Sequence, residues 1–127
     1  MRLKNFSLTY GTQIFKSFAD ESRVRILHLL YNNDELSISD LESILDFTQT
    51  KTSRHLSYLK NSGLVNASKK DQWVLYSLKD EVYDMVAQIF NFLQKDAQLI
   101  KDLDVCKVMN SNRELAVNKL IAKGYRV

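Results

Sequence analysis

A chain of 127 residues, 45% hydrophobic and 26% charged, is long enough to bury one core and close to the ordinary size of a single domain. It has no proline, three glycines and one cysteine, which excludes a disulfide-stapled scaffold and leaves long uninterrupted stretches for helices. The opening MRLKNFSLTY lacks an apolar run with a cleavage site, and no segment approaches about 18 consecutive apolar residues, so the expectation is a cytoplasmic protein without a membrane span.

Leu8, Gly11, Phe15 and Phe18 share a helical face, which predicts a first helix over about 7–18. Asp20 reads as the N-cap of a second, ESRVRILHLLYNN, with Glu21 in the first turn where the helix dipole favours an anion. This helix is apolar on nearly every side and belongs in the centre of the core; His28 within it reads as a structural histidine. In ELSISDLESILDF, Ser37 or Ser39 caps a short third helix, the latter with Glu42 three residues on in a capping-box arrangement. A turn at Asp46–Phe47 leads to Thr48, the N-cap of a fourth helix that stops at Gly63. The periodicity then changes to that of strands: LVNAS and WVLYSL flank the polar turn KKDQ as a hairpin. DEVYDMVAQIFNFLQ returns to helical spacing, with more apolar surface in Val82, Met85, Val86, Ile89 and Leu93 than one small domain needs to cover. Together with Leu8 and Phe15 these residues form the expected homodimer interface. The tail from Lys101 ends in a further amphipathic helix, capped by Ser111 with Glu114 and carrying Val117, Leu120 and Ile121 on one side.

The net charge of +3 is concentrated. Thr48 to Lys70 holds Lys51, Arg54, Lys60, Lys69 and Lys70 and no anion, leaving the remainder at −2. In the fourth helix, Thr52, Leu56, Leu59 and Gly63 fall on one stripe, while Thr50, Arg54, Ser57 and Asn61 lie opposite. A cationic, acid-free face on the second helix of a helix-turn-helix is the electrostatic footprint of a phosphate-backbone partner; a solvated surface patch is the alternative. The whole order, two helices, a helix-turn-helix, a hairpin and a long helix, describes one winged helix-turn-helix domain over residues 1–127. The fold is mainly α with a small β-hairpin, and 80–127 forms a dimerisation helix with a C-terminal helical extension.

FKSFADESRVRILHLL, ELSISDL, TQTKTSRHLSYLKNSGLV and WVLYSL, in this order over about residues 12–90, resemble the successive motifs of the ArsR/SmtB-type family of bacterial winged-helix repressors. The resemblance implies a homodimer that binds double-stranded operator DNA and loosens when an inducer, a small molecule or a redox signal, acts on it. It makes residues 48–62 the recognition helix, with Thr48, Gln49, Thr50, Lys51, Ser53 and Arg54 at its reading end and Lys60 further along. Residues 64–78 become the wing, with contacts from Lys69, Lys70 and Gln72. For His55, on the flank of the apolar stripe, phosphate contact and packing both remain open. The chain departs from the family pattern at Thr52, often aliphatic, and at Asp71-Gln72, where the wing turn often has glycine.

Arsenic- and cadmium-type members of that family usually carry two cysteines in the third-helix motif, since soft metals need thiolates. Here those places are Ser37 and Ser39, and His28 and His55, the only histidines, lie outside the elements that hold zinc- and nickel-type sites. Asp80, Glu81 and Asp84 gather at a helix start, where acids are favoured on electrostatic grounds alone. No metal and no cofactor are expected. Cys106 reads as a small hydrophobe beside Val105 and Val108, or as a redox switch pairing with the same residue of a second subunit. One cysteine, two dispersed histidines and no phosphate loop assemble no catalytic constellation, so an enzyme is not expected. The competing class is a winged helix used for protein interaction without DNA, for which charge reversal at Lys51 and Arg54 would leave function intact.

Overall fold

A computed structural model describes residues 5–124, the side chains of Val117 and Leu120 excepted. The elements run α1 (Leu8–Ser17), α2 (Glu21–Tyr31), β1 (Leu36–Ser37), α3 (Ile38–Leu45), α4 (Gln49–Asn61), β2 (Val65–Lys70), β3 (Trp73–Leu78), α5 (Asp80–Leu93) and α6 (Ala97–Ala122). The winged helix-turn-helix expected from the sequence is present. The antiparallel sheet has the order β1-β3-β2, with Val65 opposite Leu78, Lys70 opposite Trp73 and Leu36 opposite Tyr76. The two-residue β1 was not expected; too short to show alternation, it exists because β3 offers it a free edge.

The core forms around α2, whose Ile26, Leu27, Leu29 and Leu30 are all buried among Leu41, Leu56, Leu59, Leu64, Val82 and Val86. Each such side chain stabilises the fold by roughly 1.5–3 kcal/mol through the water it releases. Asp20 caps α2 by accepting the Arg23 N–H at 3.1 Å. His28 lies buried in this core, edge-on to Phe90, its Nδ1 without a partner among the described residues. Burial holds its imidazole below the ordinary value, against the opposing pull of Asp102 and Asp96.

At α3 the cap is Ser37 with Asp40, each side chain bonded to the other's backbone N–H, at 3.1 and 3.0 Å. The box drawn from Ser39 and Glu42 does not form, because the helix has already begun at Ile38. Asp46 closes α3 in the left-handed region at φ 57.

Three further expectations are corrected. Val82 and Val86, assigned to a partner-facing surface, are fully buried in their own chain; of the α5 residues assigned there, Met85 and Ile89, half-buried, and Leu93, exposed, remain available. Lys69 and Lys70 pair in β2, so the hairpin turn is only Asp71-Gln72. Asp71 adopts φ 54, supplying the left-handed backbone that a glycine would otherwise provide. The terminal helix does not start at Ser111: α5 ends at Leu93, Asp96 accepts the Leu99 N–H at 3.0 Å, and α6 runs unbroken from Ala97. Of the apolar side the sequence assigns to that tail, Ile121 is exposed and Val117 and Leu120 lie outside the described side chains.

α6 folds back onto α2 and α3. Leu99, Asp102 and Cys106 are buried and Leu103 and Met109 half-buried, one face of the helix. Two ion pairs fasten it. Asp102 accepts from Arg25 Nε at 2.9 Å and Nη2 at 3.0 Å and from Gln98 Nε2 at 2.9 Å, while Arg113 Nη2 donates to Asp40 Oδ1 at 2.7 Å.

Candidate nucleic-acid interface

Thr48 sits in extended backbone and accepts the Lys51 N–H at 3.2 Å, so α4 starts where the sequence places it. No acid occupies the first turn, and the helix presents its positive dipole end and free N–H groups to solvent. Thr52, His55, Leu56 and Leu59 are buried, whereas Thr48, Gln49, Thr50, Arg54, Ser57, Lys60 and Asn61 are exposed and Lys51 and Ser53 half-buried. Thr52, where the family often has an aliphatic side chain, donates its hydroxyl to the Thr48 carbonyl at 2.8 Å and so carries no unpaired polar atom into the core.

The open choice for His55 falls to packing. It is buried, and burial first of all lowers its pKa; Asp20 works against this, while Arg23, Arg54 and Lys51 add to it. A neutral, enclosed imidazole does not offer a charge to phosphate.

The helix is held from beneath by residues that sequence reasoning missed. Arg23 donates to the carbonyls of Ser17 at 3.1 Å and Lys16 at 2.9 Å, and its guanidinium lies 4.1 Å from the Tyr58 ring centre. It thereby ties the end of α1 to the underside of α4. Lys51 Nζ rests 4.0 Å from the Phe47 ring centre, and the i, i+4 spacing of an aromatic and a lysine was the available signal. At the far end Tyr10 donates its hydroxyl to the Gly63 carbonyl at 2.6 Å. Gly63, the residue after the C-cap, has φ 84, and a Cβ there would lie 2.8 Å from Tyr10 Cε1.

On the hairpin Lys69, Lys70 and Gln72 are exposed, as is Trp73, not singled out in the sequence. Lys70 Nζ pairs with Glu35 Oε1 at 2.8 Å. Lys51, Arg54, Lys60 and Lys69 form no ion pair with a described residue.

The third-helix hydroxyls do not fit a soft metal ion: Ser37 is buried and engaged in its helix cap, and Ser39 is exposed without a thiolate beside it. Among the described residues no three His, Cys, Asp or Glu side chains are gathered to hold a metal. The redox reading of Cys106 is corrected. The thiol is 2% exposed, donates to Asn33 Oδ1 at 3.6 Å and accepts from Asn110 Nδ2 at 3.8 Å, and burial pushes its pKa up, away from the reactive thiolate. Among the described residues no helix is long and apolar enough to cross a membrane.

Residues 20–67, from the cap of α2 into β2, match the model of the arsR family of bacterial regulatory proteins. Over 79 residues the chain is 42% identical to the arsenical resistance operon repressor of Escherichia coli, covering 62% of this chain and 68% of that one. The structure of HlyU from Vibrio cholerae superposes with a TM-score of 0.61 at 37% identity, over 65% of this chain and 90% of that one. The chain belongs to the arsR family. This arsR-family protein is also 37% identical over 79 residues, 62% of its length, to the cadmium resistance regulator CadC of Listeria innocua, and the match spans 66% of that regulator's length.

Proposed function

We propose that the protein is a homodimeric, sequence-specific DNA-binding regulator of transcription, acting as a repressor, that reads the major groove with the start of α4. The observation that carries this is the division of α4 into a buried face that fixes its orientation and an exposed face on which cations outnumber acids without exception. Gln49, Thr50, Lys51, Ser53 and Arg54 stand at the end of the helix that enters a groove. Arg54 and Lys51 suit guanine edges and Gln49 suits adenine, each well-placed bidentate pair discriminating by about 1–3 kcal/mol. Lys60 and the wing residues Lys69 and Gln72 meet the backbone. Lys70 exchanges Glu35 for phosphate at little cost, since an exposed pair of this kind contributes at most about 1 kcal/mol.

The twofold partner covers α1, where Leu8 is 87% and Phe15 71% exposed, together with Met85, Ile89 and Leu93 of α5. Ser37 and Ser39, with the enclosed Cys106, argue against a thiophilic metal or an oxidant as inducer. Sequencing genomic fragments retained by the purified protein tests the proposal. Enriched inverted repeats with half-site centres one or two turns apart, about 34–36 Å per turn, are expected. A pool with no enriched motif would instead favour a protein-interaction module, and DNA retention that survives Lys51→Glu with Arg54→Glu would show that α4 does not read the groove.

A further inference from the structure

α6 uses one face on its own chain and leaves another bare. Leu99, Asp102, Leu103, Cys106 and Met109 turn toward α2 and α3. On the side away from them Val105, Val108, Asn112 and Leu115 follow at steps of three, four and three residues, the a, d, a, d positions of two heptads. All four are exposed, Val108 to 60% and Leu115 to 58%. The first three border a shallow groove of about 440 Å³, completed by Asp104 and Met109.

We propose that this stripe docks α6 of a second copy of the chain as a short, parallel, in-register coiled coil. Asn112 selects both occupant and direction. In a parallel pair it meets its own counterpart, and two carboxamides, each with donor and acceptor, satisfy one another. An antiparallel pair sets Asn112 against Val108 and leaves the amide unpaired inside the seam. The neighbouring seam positions, Lys101 and Lys119, bring like charges together and limit the contact to the stretch between them. A seam this short does not hold isolated peptides together, so it acts only in chains whose folded bodies support α6. Because α6 lies on α2 and α3, the seam is a different surface from α1 and α5. Joined to the dimer proposed above, on which this last step alone rests, it links two dimers into a four-chain particle.

The test is sedimentation of the full chain beside a Val108→Glu/Leu115→Glu variant. Both side chains are exposed, and an unchanged far-ultraviolet spectrum checks that the fold is kept. The native particle is expected to have twice the mass of the variant. Under mild oxidation Val108→Cys should link two chains, since facing d positions fall within disulfide reach, while Lys107→Cys, off the seam, should not. Equal masses, or Lys107→Cys linking as readily as Val108→Cys, would overturn the proposal. DNA retention by the double variant, measured separately, is expected to persist for a single operator, so failure of the seam and failure of the α4 reading give different results.

Discussion

Asp102 accepts three hydrogen bonds while 2% exposed, two of them from the guanidinium of Arg25, and this pair fastens α6 to α2. Replacing Asp102 by alanine strips Arg25 of its partner while the arginine side chain is itself only 23% exposed. Breaking a buried pair from one side costs about 3–5 kcal/mol, most of it the stranded charge. Two features set the expected loss at the lower end, about 3 kcal/mol. Arg25 keeps the Phe47 ring at 5.2 Å, and it borders a solvent-open groove of about 460 Å³ from which water replaces some of the lost bonds. With a urea m-value of about 2 kcal/mol/M for a chain of this size, the unfolding midpoint falls by roughly 1.5 M. Asp102→Asn, still able to accept, should lose less. An Arg25→Ala/Asp102→Ala cycle should show strong coupling, because the second removal takes away the stranded charge. A loss below about 1 kcal/mol for Asp102→Ala, with additive single effects, would mean that α6 is not docked as described.

Three other outcomes follow from single sites. His28 and His55 are both held by burial below the ordinary imidazole value of 6.5, so the unfolded chain binds protons first as pH falls. Stability should be full above about pH 6.5 and decline below it toward the folded-state values, by at most about 1.4 kcal/mol per pH unit for each histidine; urea midpoints at pH 7.5 and 5.5 measure this, and His28→Gln should flatten the dependence. Gly63→Ala should destabilise by roughly 1–3 kcal/mol in thermal unfolding, since its φ of 84 and the Tyr10 ring both resist a Cβ, and Tyr10→Phe should cost about 1 kcal/mol for the lost bond to the Gly63 carbonyl. Cys106 should react with a thiol reagent only as fast as the chain opens; prompt labelling of the native protein would contradict its enclosed position.

The helix-turn-helix and hairpin were legible because their signals are local. Thr48 caps, Gly63 stops, and strand alternation after Leu64 can be read within a few residues of each boundary. What was not legible depends on contacts across the chain. The apolar stripe of α5 is wider than one contact needs, and the sequence does not say that Val82 and Val86 face inward while Met85 and Ile89 stay nearer the surface. Asp102 reads as a solvated acid until Arg25, 77 residues away, is found against it. For α6, a plausible capping pair at Ser111 and Glu114 suggested a start in the middle of what is one continuous helix, because capping residues are also tolerated inside helices when tertiary packing supports them. Of the candidate contact residues, Thr48, Gln49, Thr50, Arg54, Lys60, Lys69, Lys70 and Gln72 are exposed. His55 left that set through burial, and Arg23, which positions α4 without facing a partner, could be found only from its three contacts.

The central claim, that the bare cations of α4 and the wing are made for phosphate, is tested most directly by duplex affinity measured against salt. For a dimer neutralising about 6–10 phosphates, log K should fall with log salt at a slope near −0.9 per phosphate, an affinity loss of about 10³–10⁵ between 50 and 200 mM, and Lys60→Glu with Lys69→Glu should make the slope shallower. Affinity that is flat across that range, or a slope unmoved by Lys60→Glu with Lys69→Glu, would contradict it.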